Sequence, residues 1–236
     1  QFPVGPSLYG GFTGTETARG QRNSGANETI LDGGGEGTVV VFRQGVGETS
    51  VLDGFSIRNG NPSGIRLREG SNTAITSPTI RNNRILDNQA NLGGGIYIAD
   101  KCAPLVENNI ISNNIAQTGT QPARGAGIYV DARFLPEGKV VNLRNNEIRG
   151  NTCSSGSEGG GVWMQGTRIV VADNLIEKNN ADLGGGIWMS GGTVRNNRIV
   201  GNIALAHGGA VFGGSILPAP PPTGFLINNL ISGNTT

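Results

Sequence analysis

The residues with the clearest capacity for chemistry are aromatic. Four of the five Tyr and Trp residues recur in one short frame: Ile96-Tyr97-Ile98, Ile128-Tyr129-Val130, Val162-Trp163-Met164 and Ile187-Trp188-Met189. Alternate residues of a strand point to opposite faces, so aliphatic neighbours turned inward send Tyr97, Tyr129, Trp163 and Trp188 outward. Flat rings in a row are suited to the C–H faces of sugar rings. Two residues further on stand Asp131, Gln165 and Ser190, short groups able to take hydroxyls. Two residues earlier is always a glycine (Gly95, Gly127, Gly161, Gly186), which reads as a bare trough along the strip.

The carboxylates offer less. Asp32 and Asp53 recur in Leu-Asp-Gly, 21 residues apart, as an acid/base pair or a Ca²⁺ site if stacked, and as ordinary Asp-Gly turns if not. Asp131 is the other acid placed for catalysis. The single His207 precedes a strand and reads as a turn residue, and one His rules out a multi-His metal centre. Cys102 and Cys153 fall at different points of the pattern and are not expected to bridge.

The elements that must position these groups come from a repeat. Asn82-Asn83-Arg84-Ile85, Asn108-Asn109-Ile110-Ile111, Asn145-Asn146-Glu147-Ile148, Asp173-Asn174-Leu175-Ile176, Asn196-Asn197-Arg198-Ile199 and Asn228-Asn229-Leu230-Ile231 align. Each is followed five residues later by Asn88, Asn114, Asn151, Asn179, Asn202 or Asn234, then in five units by a glycine-led strand. The shortest spacing, Asn174 to Asn197, is 23 residues, and longer units gain residues only before the glycines or after the strand. No unit holds a helical pattern, and none can bury its apolar face alone, so the units stack as β-coils. Ile85, Ile111, Ile148, Ile176, Ile199 and Ile231 then form one interior column, and Ile80, Val106, Leu143, Val171, Val194 and Leu226 another. Asn83 and its equivalents sit at corners, tolerating left-handed backbone and bonding the Asn above and below. Arg81, Glu107 and Arg144 make a surface charge ladder worth little to stability.

Through these Asn-Asn-x-Ile-x-x-Asn and Gly-Gly-Gly-Ile-Tyr motifs the chain, from about residue 29 to 236, resembles the right-handed parallel β-helix proteins, among them pectate lyases, polygalacturonases and bacterial surface proteins. Residues 9–32 resemble the lead-in segment of secreted bacterial members. The resemblance implies an all-β, single-stranded right-handed parallel β-helix of about seven or eight coils. It implies a lead-in at 1–28 and a solenoid at 29–236 in a secreted or cell-surface setting. The last unit stops in mid-coil at Thr236 with strand edges bare, so a piece cut from a larger protein, or one capped by something else, is expected. Function is less determined, because such folds host both enzymes and binders. The Asn-Thr-Asp, Asp-Asp, Gly-His-Gly and Arg-Ile-Lys signatures of polygalacturonases are missing, and His207-Gly208-Gly209 is the nearest fragment.

Composition narrows the rest. Gly (41) and Asn (26) dominate the 236 residues, and 18 basic against 17 acidic side chains leave a net charge of +1. That balance argues against nucleic acid, and no run approaches a membrane span of ~20 apolar residues. The expectation is a non-catalytic carbohydrate-binding module, attached to a polysaccharide-degrading enzyme, using Tyr97, Tyr129, Trp163, Trp188, Asp131, Gln165 and Ser190. Arg66 is the only cation placed in the strip's own column, so xylan is expected first and β-glucan second. No cofactor is expected, and a structural Ca²⁺ is not legible. The alternatives are a lyase or hydrolase using Asp131 or Asp32 and Asp53, and an adhesin or stalk segment. The insertions 117–124, 153–158 and 131–139 are expected to wall the strip near Tyr129 and Trp163, with 216–223 beyond Trp188.

Overall fold

The computed structural model describes residues 6–68, 74–117, 119, 121–214 and 223–236. One coil shows the plan. Thr79–Arg81 runs along sheet B, and Asn82 turns the chain with a φ of 54° into Arg84–Leu86 of sheet C. Asp87 (φ 56°) turns it again into Gln89–Ala90 of a short fourth sheet, and Gly93 (φ 64°) leads into Ile96–Ile98 of sheet A. Every strand then pairs in parallel with its equivalents in the coils above and below. Sheet A has seven strands, sheets B and C have eight each, and the fourth sheet has five. The seven or eight coils read from the repeat are present.

The register follows the sequence columns. Ile85 pairs with Ile111, then Ile148, Ile176 and Ile199, and all five are fully buried between the sheets. Ile80, Val106, Leu143, Val171 and Val194 do the same from sheet B. The last members, Leu226 and Ile231, are exposed on the final coil.

The Asn columns are ladders of hydrogen bonds. From Asn83 through Asn109, Asn146, Asn174, Asn197 to Asn229, each backbone N–H and each Nδ2 donates to the next Asn Oδ1 at 2.8–3.1 Å. Nδ2 also donates to a carbonyl of the preceding coil, as from Asn146 to Val106 at 2.9 Å. Asn88 begins a second ladder of the same design. These amides satisfy corner backbone groups that would otherwise be buried without partners. The left-handed residue is the one before each of the first ladder's Asn: Asn82, Asn108, Asn145, Asp173, Asn196 and Asn228 all have φ between 51° and 58°. The two properties expected of Asn83 are therefore divided between neighbours.

Candidate functional site

The aromatic column is in register as expected: Tyr97 pairs with Tyr129, Trp163 and Trp188 in turn, and Phe212 follows. The rings do point away from the coil interior. They are nevertheless not a platform. Tyr97, Tyr129, Trp163 and Trp188 stack face to face, with centroids 5.1, 4.6 and 4.9 Å apart and planes within 5°. Each inner ring thus spends both faces on its neighbours. The Arg66 guanidinium lies 4.2 Å over the outer face of Tyr97.

The flanks are closed too. Leu92 and Leu183 pack against the stack, and Arg124 lies 5.2 Å over Trp163. Trp163 Nε1 donates to Glu158 (2.9 Å), which also accepts from Arg124 (2.8 Å). Trp163 and Trp188 retain 1% exposure and Tyr129 7%. Burial, helped by the charge of Asp131, pushes the Tyr129 phenol well above its ordinary pKa. The expectation of an exposed strip is corrected. In-register flat side chains on neighbouring coils satisfy one another, and the residues just before the glycines cover them.

The polar partners fare no better. Gln165 and Ser190 are register partners and both are buried, with Gln165 Oε1 and Ser190 Oγ lacking hydrogen bonds. Atoms that closed cannot take a sugar hydroxyl. Asp131 is held by two bonds from Arg133, at 3.0 and 2.8 Å. The glycine column is no trough either: a Cβ on Gly127 would stand 2.5 Å from the Gly161 carbonyl, so these glycines permit close approach of coils.

Nor do the acids form a catalytic pair. Asp32 belongs to sheet C and Asp53 to sheet B, so they do not stack. The Gly34 N–H, Asn59 and Arg58 hold the Asp32 carboxyl down to about 2. Asp53 is buried between Arg22 (2.6 Å) and Arg81 (2.9 Å). Burial alone would raise its pKa, but the hydrogen bonds from Arg22, Asn82 and Arg81 outweigh that and bring it below the ordinary value. Arg81 thereby ties the charge ladder to Asp53, while Glu107 is bonded by Arg144 at 2.8 Å. Cys102 and Cys153 do not bridge, as expected, and burial pushes the Cys153 thiol up to about 12. Among the described residues no three His, Cys, Asp or Glu side chains cluster to hold a metal.

Sequence reasoning missed a groove on the other outward face. On sheet B, Thr79, Leu105 and Asn142 are register partners in one outward column, each half-buried. With Ser77 and Ala103 they floor a cavity of about 390 Å³. Its rim is Glu48, from the turn after Val40–Phe42, and Lys139, from the insertion 131–139. The two form a 2.9 Å ion pair that reaches across the two intervening coils. The insertion is anchored: Leu135 is buried in the main core, its carbonyl accepts from Arg168 at 2.8 Å, and Asp100 accepts from the Phe134 N–H at 3.1 Å. Of the expected walls, Arg124 and Glu158, the last residues of the first two insertions, do flank the aromatic stack. The insertion 131–139 instead walls sheet B, and residues 215–222 lie outside the described residues. The available signals were the outward Leu105 of Leu105-Val106-Glu107 and the insertion itself.

Stacked parallel sheets, two Asn ladders and a closed aromatic spine describe a β-helix. The chain belongs to the right-handed β-helix family, whose model matches residues 7–135. The first Asn ladder continues beyond that match without a break to Asn229. No curated protein and no solved structure matches the chain. No helix among the described residues is long and apolar enough to cross a membrane.

Proposed function

We propose that this β-helix is a non-catalytic polysaccharide-binding module, and that its ligand lies in the groove of sheet B and not on the aromatic column. The observation carrying the reading is that groove, walled by the anchored insertion on an otherwise regular coil. A ligand cavity combines apolar floor with a few placed polar groups, and the volume lies within the common range of ~300–1,000 Å³. Here Leu105 and Ala103 supply the floor, Thr79 a hydroxyl and Asn142 an amide. One cation and one anion at the rim neutralise each other, which favours an uncharged chain. Xylan remains the first candidate and β-glucan the second, in a secreted or cell-surface setting beside a polysaccharide-degrading domain. Ion pairing of Asp53, Glu107, Asp131 and Glu158 to arginines supports binding without turnover, since none is left as an acid/base pair.

Affinity electrophoresis in xylan and β-glucan gels tests this directly. Retardation of the wild type is expected, with about tenfold weaker binding in a folded Leu105→Ala, Asn142→Ala variant. Equal retardation of the two proteins would remove the groove as the site. A product assay on the same polymers should stay flat, and turnover abolished by Glu48→Gln would overturn the non-catalytic reading.

A further inference from the structure

We infer that the molecule carries a second contact surface, for an acidic glycan, on the two coils preceding Tyr97. Three arginines lie on those coils. Arg66 is the outward residue of Ile65–Leu67, and its guanidinium is laid flat over Tyr97 at 4.2 Å. Arg43 and Arg68 each follow an inward residue by one, and those inward residues, Phe42 and Leu67, are register partners. Strand alternation therefore sends Arg43 and Arg68 outward on adjacent coils, ~4.8 Å apart along the axis. Both are exposed. Their backbones are pinned together by buried Thr76, whose hydroxyl bonds the carbonyls of Arg43 (3.4 Å) and Arg68 (3.5 Å). Cys102 Sγ adds a contact to the Arg68 carbonyl at 3.2 Å.

No ion pair among the described residues includes Arg43, Arg66 or Arg68. The acids facing them from the following coils are engaged. Asp100 accepts from the N–H groups of Lys101 and Phe134, and Asp131 is held by Arg133. Like charges side by side on a sheet are destabilising, so three with no ion pair among the described residues suit an external anion. Guanidinium forks match carboxylate and sulfate groups in two-point fashion, and the one parked on Tyr97 is already ordered. The cluster spans only two coils, which fits a charged substituent on one or two sugars. A duplex would require a longer run of phosphate contacts.

The test uses gels containing polygalacturonate, dextran sulfate or uncharged dextran at low salt. The wild type is expected to be retarded by a charged polymer and not by dextran, with retention falling as salt rises. Which polymer retards it separates carboxylate from sulfate recognition. Arg43→Gln, Arg68→Gln should weaken that retardation by roughly tenfold or more. Arg195→Gln, Arg198→Gln removes the same charge from two exposed arginines of one distant coil, and should leave it unchanged. Equal weakening in both pairs, or no retardation of the wild type by either polymer, would overturn the inference. The groove variant Leu105→Ala, Asn142→Ala should still bind the charged gel, so failure of the neutral-ligand reading and failure of this one are separate results. Matching melting temperatures establish that each variant is folded.

Discussion

Sheets A and B present the same kind of surface to solvent, one outward residue per coil at one coil's spacing, yet one is closed and the other open. On sheet A the column reads Arg66, Tyr97, Tyr129, Trp163, Trp188, Phe212, and from Arg66 to Trp188 each flat group finds another at stacking distance. On sheet B it reads Val51, Thr79, Leu105, Asn142, Val170, Thr193, Phe225, with no two neighbours able to consume each other's surface. In a solenoid, repetition of one large residue type is a stabilising device, and a break in the repetition is where surface remains for a partner. A Trp in such a column is evidence for the scaffold before it is evidence for a ligand.

The largest expected effect follows from that difference. Trp163→Ala removes a ring touched on both faces and deprives Glu158 of one donor, so it should cost about 3–5 kcal/mol, the usual range for a buried large aromatic. The matching truncation on sheet B, Leu105→Ala, should cost under about 1 kcal/mol because Leu105 covers no interior contact comparable to Trp163. Denaturant melts of both variants decide the matter. Similar losses would break the comparison and return the aromatic column to the list of binding surfaces.

The Asn ladder gives the next effect. Asn146→Leu leaves the Asn109 N–H and the Val106 carbonyl without partners in a buried corner. At ~1–3 kcal/mol for each orphaned group, a loss of roughly 3 kcal/mol is expected. An unchanged melting temperature would mean the ladder is dispensable.

Why the coils were legible and the site was not can be said residue by residue. Ile85, Asn83 and Asn88 repeat on every coil because each coil faces the same neighbours, so aligning the sequence on itself recovers their register. Strand alternation also gave the correct direction for Trp163. It carries no information on what lies outside the strand. The stacking of Trp163 on Tyr129 belongs to a different coil, and its cover, Arg124 and Glu158, comes from insertions that the repeat does not constrain. Leu92 and Leu183, apolar residues immediately before the glycines, were the visible hint of that cover. The spacing of Asp32 and Asp53 left stacking and separate turns both open for a related reason: 21 residues is close to one coil, yet it runs from sheet C to sheet B. The groove depends on how far Glu48 and Lys139 reach, a property of turns that alignment cannot measure.

The closed face should also show itself in alkali. The Tyr129 phenol has its pKa raised in the folded state, chiefly by burial. Its contribution to stability is therefore complete below the unfolded value of ~10 and is lost as pH rises past it. Wild-type stability should fall more steeply above that pH than that of Tyr129→Phe. Before unfolding, Tyr129→Phe should leave the amplitude of the phenolate absorbance unchanged, since Tyr129 does not ionise while stacked. A reduced amplitude would show that solvent reaches the column.

The smallest effect concerns the rim of the open face. Lys139 and Glu48 are both substantially exposed, so their ion pair is screened and its net worth is about 0–1 kcal/mol. Lys139→Met should accordingly leave the melting temperature nearly unchanged, because the insertion stays anchored by Leu135 and by Arg168. Xylan retardation should change by less than it does in the floor variant, since the rim pair neutralises charge while Leu105 and Asn142 make the contact. This outcome sharpens the contrast between the faces: on sheet A removal of one side chain is felt by the fold, and on sheet B by the ligand. A large loss of stability in Lys139→Met would instead make the ion pair a strut that holds the insertion, and the groove a by-product of that bracing.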